Sequence, residues 1–250
     1  MDILNPKLEY KTFLDLSRRD IKAAKLLNDS GDYITAIYHF QQSVEKSCKA
    51  IGLIIGAVEY NQLKKIGHNP KKVFEHILNN EIFNELGGTE AYTYLESEID
   101  KYSTFEEKVK MICETIFQVI NTNELIKIEQ GQLPSEAIIN YFENNPFKGS
   151  FPIDLKAAFN GHIGEKECET ITKEEIDRIN RNEKVVASQI YMSFLVDKLE
   201  ANTRYADHSG EIPTTPDNRY AKNSFFVQSL RPLINLQENA IDEIEDYFFS

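Results

Sequence analysis

"YHFQQSVEKSCKAIGLIIG", Tyr38–Gly56, carries two patterns at once. Ile37, Phe40, Val44, Cys48, Ile51 and Ile55 recur by threes and fours, so the stretch predicts a helix from about Tyr33 to Gly56 with one apolar stripe. His39, Gln42, Lys46 and Lys49 follow the same spacing on another face, and Glu45 sits one residue to the side. A polar row of this kind is either a solvated face or one half of a polar contact with a neighbouring helix.

The preceding segment favours the contact. Phe13–Leu27 reads as a first helix, with Leu14, Ile21 and Ala24 among its apolar positions. Asp20 falls at helical spacing from Phe13, Leu16, Ala23 and Leu27, at the edge of an apolar face. A carboxylate there is costly unless a cation or several donors meet it. Lys46 or His39 on the next helix can do so, which predicts a polar cluster between the first two helices built on Asp20 and Lys46. "NDSGDY", with Gly31 near its tip, is the turn between them.

The rest of the chain is also helical in pattern. "GHNPKKVFEHIL" opens a third helix, with Asn69 as N-cap and Pro70 in the first position. "TEAYTYLESEIDKY" and "TFEEKVKMICETIFQVIN" read as two more, the second with Thr104 and Glu107 at capping-box spacing. "SEAIINYFENN" is a possible short helix, a short strand is possible at Leu125–Ile128, and the Gly- and Pro-rich stretch after Asn145 reads as loop. Helix returns after a second possible capping box, Thr172 and Glu175, and Val185, Met192, Leu195 and Leu199 form its apolar face. "TRYADHSGEIPTTPDNRY" reads as loop. In the last helix Leu233, Gln237, Ile241, Ile244 and Phe248 share a face, and Pro232 either starts it or kinks a helix that begins near Ala221. The predicted class is all-α, an antiparallel bundle with an elaborated middle.

Composition narrows the function. The 250 residues are 41% hydrophobic, enough for a real core, and 27% charged with a formal net charge of -12. Generic nucleic-acid binding is excluded by that charge, so any phosphate contact needs a local basic patch. Cys48, Cys113 and Cys168 lie far apart with no CxxC pair, which argues against a zinc ribbon and for a reducing compartment. The start lacks the apolar run of a signal peptide and no stretch reaches membrane-span length, so a cytoplasmic protein without membrane contact is expected. His162 and Cys168 with two glutamates make a poor metal site, and no Gly-rich phosphate loop, nucleophile elbow or HExxH is present, so no metal or cofactor is expected. "KKIGHNPKK" gathers Lys64, Lys65, His68, Lys71 and Lys72 at a helix start, a candidate anion site whose plain alternative is a solvated turn.

"LSRRDIKAAKLLNDSGDYITAIYHFQQSVEKSCKAIGLIIG" resembles the opening of a HEPN domain. The residues that carry the resemblance are Asp20, Ala24, Leu26, Leu27, Gly31, Tyr33, Ala36, Gln41 or Gln42, Glu45, Lys46, Lys49 and Ala50, then His68. "LEANTRYAD" from Leu199 resembles the "aRYPd" segment before the last HEPN helix, with Arg204 and Tyr205 matching and Ala206 in place of the usual proline. The resemblance implies a bundle of 1–80 plus 183–250, with 81–182 as a helical, then loop-rich insertion. It also implies a homodimer and a nucleotide, RNA or partner ligand, in a prokaryotic toxin–antitoxin or antiphage setting. The "RY" branch of the family often sits beside a small nucleotidyltransferase, a possible partner. Many HEPN proteins are metal-independent ribonucleases with Arg, four to six residues, then His. Here only "RYADH" comes near, with three residues between Arg204 and His208. A binding protein using Asp20, His39, Gln42, Glu45, Lys46 and Tyr205, a divergent ribonuclease using Arg204 and His208, and a purely structural helical module are the three readings.

Overall fold

The computed structural model describes residues 6–79, 88–121, 184–197, 199 and 216–249. These are helices and their connections: α1 (Pro6–Ser30), α2 (Tyr33–Ile54), α3 (Tyr60–Ile66), α4 (Pro70–Leu78), α5 (Gly88–Asp100), α6 (Phe105–Asn121), α7 (184–197), α8 (Pro216–Arg219) and α9 (Phe225–Phe249). The all-α class holds, with no strand among the described residues. Arg204, Tyr205, His208, His162, Cys168, the Leu125–Ile128 strand, the 135–145 helix and the Thr172 capping box lie outside them.

Two residues, Gly31 and Asp32, join the first two helices. Gly31 takes φ +87°, a conformation in which an L side chain is strained. Asp32 then caps α2, its carboxylate accepting from the Thr35 amide at 3.2 Å. So tight a turn folds α1 back along α2. Pairs across the seam run in opposite directions, Ser17 with Ser43 and Asp20 with His39, as an antiparallel pair requires. α9 is antiparallel to α1 as well. Arg18 bonds Asp242 and Glu245, Lys25 bonds Glu238, and Arg231 reaches back to Asp29. These pairs are half-exposed and fix register more than they stabilise.

The core lies where α1, α2, α7 and α9 meet: Leu14, Ile21, Ile37, Phe40, Val44, Met192, Leu195, Leu230, Leu233, Ile234 and Ile241 are buried together. Ile99, Ile112 and Ile116 from α5 and α6 join the same cluster. α6 starts with the capping box its sequence predicts: the Glu107 amide donates to Thr104 Oγ1 at 3.2 Å and the Thr104 amide to a Glu107 carboxylate oxygen at 3.1 Å. Those bonds hold the Glu107 carboxyl below its ordinary range.

Several boundaries differ from the sequence expectation. α1 extends to both sides of Phe13–Leu27, because charged residues at its ends satisfy the helix as well as apolar ones. α3 is an unpredicted single helix, too short for its period to show. α8 interrupts the predicted 203–220 loop for one turn. α9 runs from Phe225 straight through Pro232. The proline leaves the Gln228 carbonyl without its helical donor, and Gln228 is exposed, so that carbonyl is open to solvent.

Gly52 sets how closely α2 meets α4. A Cβ there would lie 2.7 Å from Val73 Cγ1 and 3.1 Å from Val58 Cγ2, both on buried side chains. Gly52→Ala gains up to about 1 kcal/mol of helix propensity. It also drives a methyl into a full interior, which costs roughly 1–3 kcal/mol. Overlap with a branched, buried valine wins, and urea unfolding should show a net loss of about 1–2 kcal/mol. An unchanged or raised midpoint would mean that the two helices lie farther apart.

Candidate functional site

The polar row on α2 makes two carboxylate clusters. In the first, Asp20 of α1 meets two residues of α2: His39 Nδ1 lies 3.0 Å from Oδ1, and the Lys46 ammonium bonds Oδ2. The Asp20 side chain is 17% exposed and that of His39 29%. The cluster therefore sits at the lip of the α1–α2 seam, mostly covered but still reached by water, where a paired carboxylate is tolerated.

The second cluster is deeper. Glu45 is only 6% exposed and accepts three bonds. Lys49, one turn on, reaches Oε1 at 2.6 Å; His68 Nδ1 lies 3.1 Å from Oε2; and Gln42 Nε2 is 3.5 Å from that same oxygen. Glu45 before Lys49 at i,i+4 is the favourable order on a helix. The spacing argument put Glu45 to the side of the row. It is instead the centre of this cluster, because α4 and the turn before it cover that flank of α2.

Both clusters have the same plan, a carboxylate shared between a lysine and the Nδ1 side of a histidine. That leaves Nε2 of His39 and of His68 without a bond among the described residues. Gln42 stands between the clusters. The strip is a row of hydrogen-bonding capacity with almost no uncompensated charge.

The five residues of the candidate anion site do not act together. The Lys71 ammonium bonds Glu96, 5.2 Å from the Phe194 ring centre and 5.9 Å from that of Tyr92, tying α4 to α5 and α7. His68 belongs to Glu45. Asn69 caps α4, accepting from the Lys72 amide at 3.3 Å and donating to Asp197 at 3.1 Å. Lys64, Lys65 and Lys72 remain, exposed and without an ion pair among the described residues.

A second polar centre went unread in the sequence. Inside the four-helix core, Gln237 Nε2 donates to Ser47 Oγ at 2.9 Å and Ser43 Oγ at 3.3 Å. Gln189 Nε2 donates to Gln237 Oε1 at 2.7 Å, and Ser47 donates to Gln189 Oε1 at 2.7 Å. Ser17 Oγ donates to the Ser43 carbonyl at 2.7 Å. All five side chains are buried. The available signal was Gln237 on an otherwise apolar face, with serines at i and i+4 in α2.

Nothing in the described residues offers a nucleophilic thiol or a metal centre. Cys48 and Cys113 are free and buried; burial, with Glu114 nearby, pushes the Cys113 thiol up to about 12. No group of three or more His, Cys, Asp or Glu is placed to hold a metal among them. No described helix is long and apolar enough to cross a membrane.

Comparison with known families agrees with this architecture. The HEPN domain model matches residues 10–122, from within α1 to just past the end of α6. This part of the chain is a HEPN domain. The match runs through both carboxylate clusters and continues past residue 80. No curated protein and no solved structure matches the chain. A HEPN domain supports a nucleotide- or RNA-related role in general.

Proposed function

We propose that this protein binds RNA or a nucleotide through the polar strip of α2, as a homodimer. The observation that carries this reading is the strip itself. Within the HEPN segment, two carboxylates orient two imidazoles whose Nε2 atoms make no bond among the described residues, at a partly open surface. Those atoms are open to a ligand, the His68 side chain being 66% exposed. The proposed division keeps 1–80 and 183–250 as the bundle and 81–182 as the insertion, whose first helices dock on the common core. A prokaryotic toxin–antitoxin or antiphage system, with a nucleotidyltransferase as possible partner and a cytoplasmic location, is the proposed setting.

The test has two parts. Light scattering on the purified chain should give twice the mass of one chain, and titration should show saturable binding of a short single-stranded RNA or of ATP. A monomer that binds neither overturns the reading. The ribonuclease alternative rests on "RYADH". Incubation with total cellular RNA and no added metal, beside Arg204→Ala and His208→Ala, decides it: cleavage lost in both variants makes the protein a nuclease, and an uncut pool from wild-type dimer rejects that alternative.

A further inference from the structure

Resting on the RNA-binding reading above, the structure assigns phosphate contact to Lys64, Lys65 and Lys72 rather than to the lysines of the strip. The ligand class is the backbone of single-stranded RNA. The argument is one of which cations are already engaged. Lys46 is held by Asp20, Lys49 by Glu45 and Lys71 by Glu96. Each would have to give up a carboxylate before meeting a phosphate, and would leave that carboxylate next to the incoming anion. A strip so neutralised suits an uncharged ring edge, which needs donors and acceptors.

Lys64 and Lys65 end α3 and Lys72 lies in the first turn of α4. Gly67, at φ +65°, turns the chain between them. No acid stands three or four residues from Lys64 or Lys65, and the one acid so placed from Lys72, Glu75 at i+3, makes no ion pair with it among the described residues. The side chains of the nearest acids are turned to neutral donors and not to these lysines: Glu59 accepts from Asn61 at 3.0 Å and Glu75 from the Tyr92 hydroxyl at 3.3 Å. In a chain of net charge -12, three exposed lysines within nine residues of sequence, without an ion pair among the described residues, form a local exception.

Arg19 and Lys22 also lack an ion pair among the described residues, but they stand on the exposed face of α1 with Asp15. His68 makes the difference. It lies between the two lysine groups in sequence and bonds Glu45 of the strip. A strand whose phosphates follow the lysines is thereby led to Gln42 and His39.

Salt dependence reads the number of phosphates engaged. Neutralising one phosphate of a single strand contributes roughly 0.7 to the slope of log affinity against log salt. A labelled short RNA is titrated from about 50 mM to about 200 mM KCl, the range over which such contacts dominate. Lys64→Gln/Lys65→Gln/Lys72→Gln should lower the slope by about 2, and weaken binding at low salt by roughly ten-fold or more. Arg19→Gln/Lys22→Gln should leave the slope unchanged. A triple variant with the wild-type slope overturns the assignment and leaves RNA binding standing. The same follows if the α1 pair, and not the triple, lowers it. Wild-type protein that binds no RNA overturns the reading beneath it. All substituted side chains are exposed, so circular dichroism should show the same fold.

Discussion

Glu45→Ala should cost about 3–5 kcal/mol of stability, the range for breaking a buried ion pair by removing one partner. The Lys49 side chain is 10% exposed and its ammonium points into the space that Glu45 fills. Without the carboxylate that charge is left in a poorly solvated place, and His68 loses the group that holds its loop against α2. Globular domains are stable by only about 5–15 kcal/mol, so the variant approaches the limit of folding. Glu45→Gln keeps the shape and an acceptor oxygen, and should cost clearly less. Glu45→Leu with Lys49→Met removes both charges together and should recover most of the loss, since a buried pair is often no better than the apolar residues that replace it. Urea midpoints of the three variants check the argument. A loss under about 1 kcal/mol for Glu45→Ala is the value of an exposed pair, and would mean that water reaches the cluster. Asp20→Ala is the internal comparison. Its cluster opens to solvent, so its cost should be the smaller of the two.

That difference between the clusters marks where the sequence stops being legible. Asp20 could be found because it broke an apolar pattern on α1, and the only cations at the right spacing stood on α2. The spacing therefore points to His39 and Lys46 as its partners, and the structure brings all three together. Glu45 gave no such signal. Its burial comes from α4 and the Gly67–Asn69 turn, which contact α2 from far along the chain, and spacing within one helix says nothing about them. The lysines around His68 show the same limit. As a string they are five like residues. Only the positions of Glu96, Tyr92, Phe194 and Glu45 separate an engaged Lys71 and His68 from three unengaged lysines. The bundle was easier to read, since an apolar stripe of period 3.6 fixes a helix and its buried face together. The four-helix meeting point was not, because it depends on which helices are neighbours.

At that meeting point, Gln237→Leu should destabilise the protein by about 2–4 kcal/mol, although leucine is nearly the same size. An unmade bond on a buried polar group costs about 1–3 kcal/mol, and this change leaves the Gln189 amide without its acceptor at 2.7 Å. Ser47 and Ser43 lose a donor at the same time, but each has another bond: Ser47 lies 2.9 Å from the Val44 carbonyl, and Ser43 lies 3.0 Å from Ser17 Oγ. The cost therefore falls mostly on Gln189. Gln189→Leu should be destabilising for the mirror reason, leaving the Gln237 carbonyl without a donor. The double variant removes both amides and strands neither, so it should lose less than the two singles added together, by about 1–3 kcal/mol of coupling. Unfolding of all four proteins in urea completes the cycle. Strict additivity would mean that the two side chains do not meet. The coupling also bears on why glutamines stand here at all. Leucines would bury more apolar surface, but they would fit equally well with α7 or α9 slid by one turn. The two amides bond each other and Ser47 in one register alone, and that register holds α9 where its acidic residues meet Arg18 and Lys25 on α1, the helix that presents Asp20 to the strip.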